Sequence, residues 1–261
     1  MKFLISFLLR HIPRRYLQLF SHIVMRFVSV FYLGNKVECP ICDHKFRKFL
    51  PYGRKSRENA LCPNCLALER HRLMWLYLKE KTDFFQSNSK LLHVAPEICF
   101  INRFEQLPHL DYITADIESP LAKVKMDIED IPLDDNSIDV VFCNHVLEHV
   151  NNDQKAMSEI FRVLKPGGWA ILQVPVFHPI PNKTLENSSI TDPKEREKVF
   201  GQDDHVRLYG KDYPDRLRSA GFAVKVEDYA KEIGEEAVRR FALPTDDPIY
   251  FCRKPSVGVQ Q

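Results

Sequence analysis

Two C-P-x-C units, Cys39-Pro40-Ile41-Cys42 and Cys62-Pro63-Asn64-Cys65, stand nineteen residues apart, and no other feature restricts the fold of this sequence as tightly. Each unit bends back so that two sulfurs face one way, and two such bends brought together close a tetrahedral four-sulfur shell around Zn2+. All four positions are thiolates and none is left open, so the ion is expected to be structural. Phe46, Phe49, Leu50 and Tyr52 between the units are too few for an unaided core, which leaves metal to supply most of the local folding energy. His44 is expected in the turn and not as a ligand. Cys99, Cys143 and Cys252 lie in separate apolar contexts and read as ordinary buried residues; seven cysteines without a pairing pattern imply a reducing compartment.

Charge divides the chain unevenly. Residues 1–36 carry six Lys/Arg and no acid, residues 37–90 carry eleven Lys/Arg against six acids, and residues 91–261 carry twenty against twenty-nine. A polyanionic partner should therefore meet the front of the molecule. Met1–Leu9 is charged and then apolar, but Arg10, Pro13, Arg14 and Arg15 follow where a signal peptide needs small residues. From Tyr16 to Leu33 the polar positions Gln18, Ser21, His22, Arg26 and Ser29 form a narrow helical stripe beside a broad apolar face. That pattern suits a helix on the protein's own body or one lying in a membrane interface; the absence of acids favours the interface, with residues 1–34 as a peripheral anchor. With 44% hydrophobic and 28% charged residues, the chain is neither disordered nor a polytopic membrane protein.

After Cys65 the run L-A-L-E-R-H-R-L-M-W-L-Y-L-K-E-K predicts a linking helix, with Arg70, His71 and Arg72 on its solvated face. From Lys90 the periods alternate. Strands are predicted at Leu91–Val94, Asp111–Ala115, Ala122–Met126, Ser137–Cys143, Trp169–Val174, Phe222–Val226 and Ile249–Cys252. Helices are predicted at Ile98–Leu107, Asn151–Leu164 and Asp212–Ala220, the second stopped by Pro166-Gly167-Gly168 and the third by Gly221. Such alternation specifies an α/β body with a mostly parallel sheet. Ligands of such sheets bind beyond the carboxyl ends of the strands, where Glu97, Asp116, Asp127 and Asn144 collect. Clustered carboxylates suit a ligand with ribose hydroxyls, an exocyclic amine and positive charge, and not a phosphate.

The stretches D-I-E-D-I-P-L-D-D-N-S-I-D-V-V-F-C-N-H-V-L-E-H-V and E-I-F-R-V-L-K-P-G-G-W-A-I-L resemble the signatures of class I S-adenosylmethionine-dependent methyltransferases of type 11, over about residues 88–253. The resemblance implies a Rossmann-like sheet with an antiparallel last strand and S-adenosylmethionine as cofactor. It also implies Asp116 on the ribose hydroxyls, Asp127 and Ile128 on the adenine, and Asn144 beside the methionine part. One departure stands out. The family's first strand ends in an acid and a glycine-rich loop, whereas here His93 takes the acid's place and Ala95-Pro96-Glu97 replaces the glycines. Glu97 is then expected to pair with the cofactor's ammonium or sulfonium region.

The organisation that follows is a basic amphipathic segment (1–36), a zinc-ribbon-like module (37–67), a linking helix (68–87), a methyltransferase domain (88–254) and a short tail (255–261). Methyl transfer from a sulfonium needs alignment above all, with a base for oxygen or nitrogen acceptors. His205, flanked by Asp203, Asp204 and Arg207 in the long segment Val176–Gly210, is the first candidate base or acceptor-positioning group, and His145 the second. That segment is too long for a plain connection and is expected to cap the acceptor site. The leading expectation is a cytoplasmic methyltransferase, peripheral on the cytosolic membrane face, acting on a small, lipid-linked or glycan-like acceptor. An RNA methyltransferase gripping RNA through the zinc module is the alternative, and a non-catalytic zinc-containing adaptor is the third.

Overall fold

The computed structural model describes residues 24–54 and 56–256. Residues 24–29 are helical and pass into a 3-10 turn, Val30–Tyr32; Phe27 and Phe31 remain 74% and 75% exposed. The rest of the predicted 1–34 anchor lies outside the described residues, and no helix among the described residues is long and apolar enough to cross a membrane.

The ribbon follows. Strand β1 (Leu33–Cys39) pairs antiparallel with β2 (His44–Phe46), and β3 (Leu50–Tyr52) with β4 (Arg57–Leu61). Helix α1 (Glu69–Lys81) leaves the ribbon, and eight consecutive residues, His71–Leu78, are buried along it. The expectation that His71 and Arg72 ride a solvated face is therefore wrong. A helix apolar all the way round has no wet side, and this one is covered by the ribbon on one flank and the sheet on the other.

The body is one seven-stranded sheet in the order β12-β13-β9-β8-β5-β6-β7. It contains β5 (Ser89–Val94), β6 (Leu110–Asp116), β7 (Val124–Lys125), β8 (Ile138–Asn144) and β9 (Leu164–Gln173), all mutually parallel. Strand β13 (Ile249–Arg253) runs antiparallel to both β9 and β12 (Ala223–Glu227), as the resemblance implies. Central β8 is buried along nearly all its length, which is why it reads as a continuous apolar run and not an alternating one. Helices α2 (Ile98–Phe104) and α3 (Asp153–Val163) cross between strands. Asn152 caps α3 by accepting the Lys155 amide. Between β9 and α5 (Tyr213–Ser219), the long segment carries structure of its own: α4 (Pro193–Phe200) and a small pair, β10 (Leu185–Glu186) with β11 (Arg207–Leu208). Short helices α6 (Tyr229–Glu232) and α7 (Glu235–Phe241) precede β13.

Pro166-Gly167-Gly168 does not lie beyond the helix as a stop. Strand β9 already begins at Leu164, and the pairing with β8 slips between Ile138 and Val140 so that the three residues form an irregular start to the strand. Gly167 has φ +83, and a Cβ on Gly168 would come within 2.9 Å of the Asp139 and Lys165 carbonyls; glycine is required by close backbone approach. Two apolar layers flank the sheet. One is aliphatic, under α3 and α5; the other is aromatic and runs without a break from Phe46 and Phe49 of the ribbon through Trp75 of α1 to Phe142 and Trp169 of the sheet.

Candidate functional site

The four cysteines converge. Cys39–Cys65 and Cys42–Cys62 sulfurs are 3.6 and 3.7 Å apart, and all four lie within 4.8 Å of one another. With zinc–sulfur bonds near 2.3 Å, the edges of an S4 tetrahedron are about 3.8 Å, so the shell fits Zn2+. The two turns share one construction: the amides of Asp43 and Leu66 close back on the carbonyls of Cys39 and Cys62 at 2.9 and 3.0 Å, and both residues take positive φ, 58° and 63°. A left-handed leucine costs about 1–2 kcal/mol, a strain that ion binding would offset. The crowded sulfurs share their protons unevenly: hydrogen bonding among them pushes the Cys39 and Cys65 thiols well up and the Cys42 thiol down. His44 gives Nδ1 to the Cys42 carbonyl at 2.6 Å, a turn role as expected.

A second site opens at the carboxyl ends of β5, β6 and β8. Its cavity, about 240 Å3, is lined by Ala95, Asp116, Met126, Asp127, Ile128 and by the turn after β8, including Val146, His149 and Asn151. Three of the residues predicted for the cofactor, Asp116, Asp127 and Ile128, thus share one wall. Asp116 uses Oδ1 to accept the amides of Glu118 and Ser119 at 2.7 and 2.6 Å, and Asp127 uses Oδ1 for the amide of Glu129 at 2.9 Å. Each carboxylate is thereby fixed by one oxygen, leaving the other for a ligand's hydroxyl or amine. Ala95 reproduces the missing glycine's backbone: its φ is +50°, so the sharp turn survives with a methyl group at the cavity wall.

Glu97 and Asn144 lie one layer behind that wall. Glu97 accepts from His93 Nε2 at 2.6 Å and from Asn144 Nδ2 at 3.2 Å, with His71 Nε2 3.4 Å away. His93 is fully buried and meets the Tyr112 hydroxyl with Nδ1 at 2.8 Å. Glu97 is thus held at the end of β5 by His93, four residues before it. Burial resists ionisation of Glu97, but the hydrogen bond from His93 and the nearby positive charge outweigh it and hold the carboxyl down at about 2. Burial pushes His71 down to about 3. Asn144 keeps a buried Oδ1 without a partner among the described residues.

The predicted histidines sit on different elements, His145 on the turn after β8 and His205 on the long segment. His145 takes φ +57°, with Nδ1 3.5 Å from Glu148 Oε1. His205 is fully buried, its Nδ1 3.1 Å from the Phe200 carbonyl and its Nε2 2.9 Å from the Gln202 amide. Its ring meets His149 edge-on at 4.8 Å between centroids, and burial holds its imidazole below the ordinary value. His205 is not part of the cavity wall; His149, between them, is.

A family model described as a methyltransferase domain matches residues 101–172. The match covers 72 of the 261 residues, from α2 into β9. A ubiquinone/menaquinone biosynthesis C-methyltransferase, UbiE, of Idiomarina loihiensis is 41% identical over 49 residues, 19% of this chain and 20% of that protein. A protein of 37.1 kDa in transposon TN4556 of Streptomyces fradiae is 40% identical over 57 residues, 22% of this chain and 16% of its own. The chain thus spans a fifth or less of the length of these curated relatives. Among solved structures, a SAM-dependent methyltransferase from Archaeoglobus fulgidus aligns over 70% of this chain and 93% of its own with 16% identity and a TM-score of 0.46. One from Mesorhizobium loti aligns over 69% and 97% with 14% identity and a TM-score of 0.45.

Around the cavity, sequence reasoning missed what lies behind the predicted residues. Arg207 is buried and donates to the carbonyls of Leu147, Val150 and Asn151 at 2.6–2.9 Å, fastening the turn after β8 to the long segment. Nothing in an isolated arginine signals such a role. Glu148 was legible: it stands in V-L-E-H, inside the residues that the family model matches, and is almost wholly buried.

Proposed function

We propose that this chain transfers a methyl group from S-adenosylmethionine to a small, lipid-linked or glycan-like acceptor. The observation that carries the reading is the cavity wall, where two carboxylates, Asp116 and Asp127, are each anchored by one oxygen beside Ile128. In this reading Asp116 accepts the ribose hydroxyls, and Asp127 with Ile128 receives the adenine. Bound S-adenosylmethionine supplies an electrophilic methyl carbon on a sulfonium. Glu97, ionised and screened by His93, places negative charge behind the wall and so favours a cationic occupant. His145 and His205 are the acceptor-side histidines, each able to orient an acceptor or to take a proton. The acceptor class rests on the acid-rich body and on the apolar Phe27 and Phe31 left exposed at the front.

Calorimetry with S-adenosylhomocysteine tests the cofactor half. Binding by the wild type, with Asp116→Ala weaker by about 10–100-fold for one to two charge-assisted hydrogen bonds, supports it. No binding by the wild type would leave a metal-stapled adaptor. Labelled cofactor incubated with fractionated cell extract tests the acceptor half: label in a lipid or glycan fraction supports it, and label in RNA, with steeply salt-dependent RNA binding, replaces it with the RNA reading.

A further inference from the structure

Beside the cavity, three side chains face one another that none of the roles above employs together: Glu148 and His149 from the turn after β8, and His205 from the long segment. One ligand atom from each lies within 4.8 Å of the others. Glu148 is 1% exposed, and its Oε2 has no hydrogen-bond partner among the described residues. Its Oε1 is 3.5 Å from His145 Nδ1 and 3.9 Å from His149 Nε2. A carboxylate taken out of water with one oxygen unsatisfied is costly unless a cation meets it.

The imidazoles are arranged as ligands are. His149 Nδ1 faces the Asp204 carbonyl at 3.2 Å and His205 Nδ1 the Phe200 carbonyl at 3.1 Å. Donation of Nδ1–H to a carbonyl fixes the tautomer and leaves the Nε2 lone pair for a metal. On His205 that lone pair is covered by the Gln202 amide, a half-exposed side chain free to turn away. The frame is already built. The Val206 amide donates to the Glu148 carbonyl at 2.9 Å, Tyr209 donates to the Leu147 carbonyl at 3.2 Å, and Arg207 clamps the same turn. Ligands bound at about 2.1 Å stand roughly 3–3.5 Å apart, so closure asks for about an ångström of side-chain rotation, most easily by the exposed His149.

We propose that Glu148, His149 and His205 hold a divalent transition-metal ion at the edge of the cofactor cavity, with open coordination positions for an oxygen atom of the acceptor. Two imidazoles and one carboxylate form a borderline donor set suited to Zn2+, Fe2+ or Co2+, and three protein ligands leave positions open. The set differs from the closed four-sulfur shell of the ribbon, whose ion can take nothing further. His149 belongs to both the ion site and the cavity wall, which puts the ion at the cavity's edge. The acceptor clause rests on the methyl-transfer reading; the ion site does not.

Cobalt(II) titrated into the full chain, with zinc retained on the cysteines, tests the ion. The expected result is one further equivalent bound with weak ligand-field absorption, no thiolate-to-cobalt charge transfer, and paramagnetically shifted proton resonances from two histidines. His205→Ala and Glu148→Gln should each weaken this binding by more than about a hundredfold, since outer-shell partners alone are worth 10–100-fold. Absence of the further equivalent, absence of shifted histidine signals in the wild type, or undiminished binding by both variants would overturn the site. The histidine signals stand even where a variant does not fold. Cobalt binding without any S-adenosylhomocysteine binding would sink the methyl-transfer reading and the acceptor clause while leaving the ion in place.

Discussion

Replacing Arg72 by methionine should destabilise the protein by about 3 kcal/mol, a value that follows from the hydrogen-bond arrangement around one side chain. Arg72 is fully buried, and its guanidinium spends every N–H on a backbone carbonyl. Nε donates to Phe241 at 2.7 Å, Nη1 to Ala60 and Ala67 at 3.0 Å, and Nη2 to Asn59 at 3.1 Å and Ala242 at 2.7 Å. Three of those carbonyls belong to the ribbon and two to the end of α7, and the cation stacks 4.2 Å over Phe49. Methionine keeps the length and loses all five donors. Five orphaned carbonyls at ~1 kcal/mol each cost about 5 kcal/mol. Against this, a buried charge without a carboxylate partner is removed, which returns on the order of 2 kcal/mol. Urea unfolding followed by circular dichroism reads the difference, and limited trypsin digestion should show the ribbon opening first. Arg72→Lys, with three donors and no planar fork, should fall between. An Arg72→Met protein within about 1 kcal/mol of wild type, its ribbon no more protease-sensitive, would refute the account.

Three further outcomes are expected. A zinc chelator should melt the ribbon before the sheet, seen as a new low-temperature transition that added Zn2+ reverses; a single unchanged transition would mean that the sulfurs pack without metal. Acidification should unfold the protein in a window set by Glu97. Its folded value of about 2 lies below the ordinary 4.5, so its contribution, about 3 kcal/mol, is complete above pH 4.5 and is lost as pH falls toward 2. His71, held near 3 by burial, adds to the loss below its ordinary 6.5, and Glu97→Gln should flatten the acid limb of stability against pH. Ala95→Val should weaken S-adenosylhomocysteine binding at least tenfold, because a β-branched residue resists φ near +50°, whereas Ala95→Gly should bind at least as tightly as wild type; calorimetry on both variants decides.

What the sequence made legible was whatever is written locally. The cysteine turns, Asp116 and Asp127 at strand ends, and the apolar run of β8 each carry their own signal in spacing or period. His71 and Arg72 were misplaced because E-R-H-R looks like a wet face, although the six apolar residues that follow leave no polar stripe for one. Pro166-Gly167-Gly168 misled in the same way: turn residues can loosen a strand's first pairings as readily as they end a helix. His93 and Glu97 were read within one departure but not as partners, yet their spacing of four residues is what lets them pair. The contacts of Arg207 join positions some 60 residues apart, and only the folded topology brings them together.

The unbroken aromatic layer from Phe46 to Trp169 bears on how the molecule can be dissected. A truncation beginning after Cys65 would not release a self-sufficient body. It would strip one flank of α1, take the Asn59 and Ala60 carbonyls and the Phe49 ring from buried Arg72, and invite aggregation. Any attempt to transplant the cysteine module onto another scaffold, or to swap it for a foreign one, must carry that helix along. The unit of inheritance here is the ribbon together with the wall it leans on.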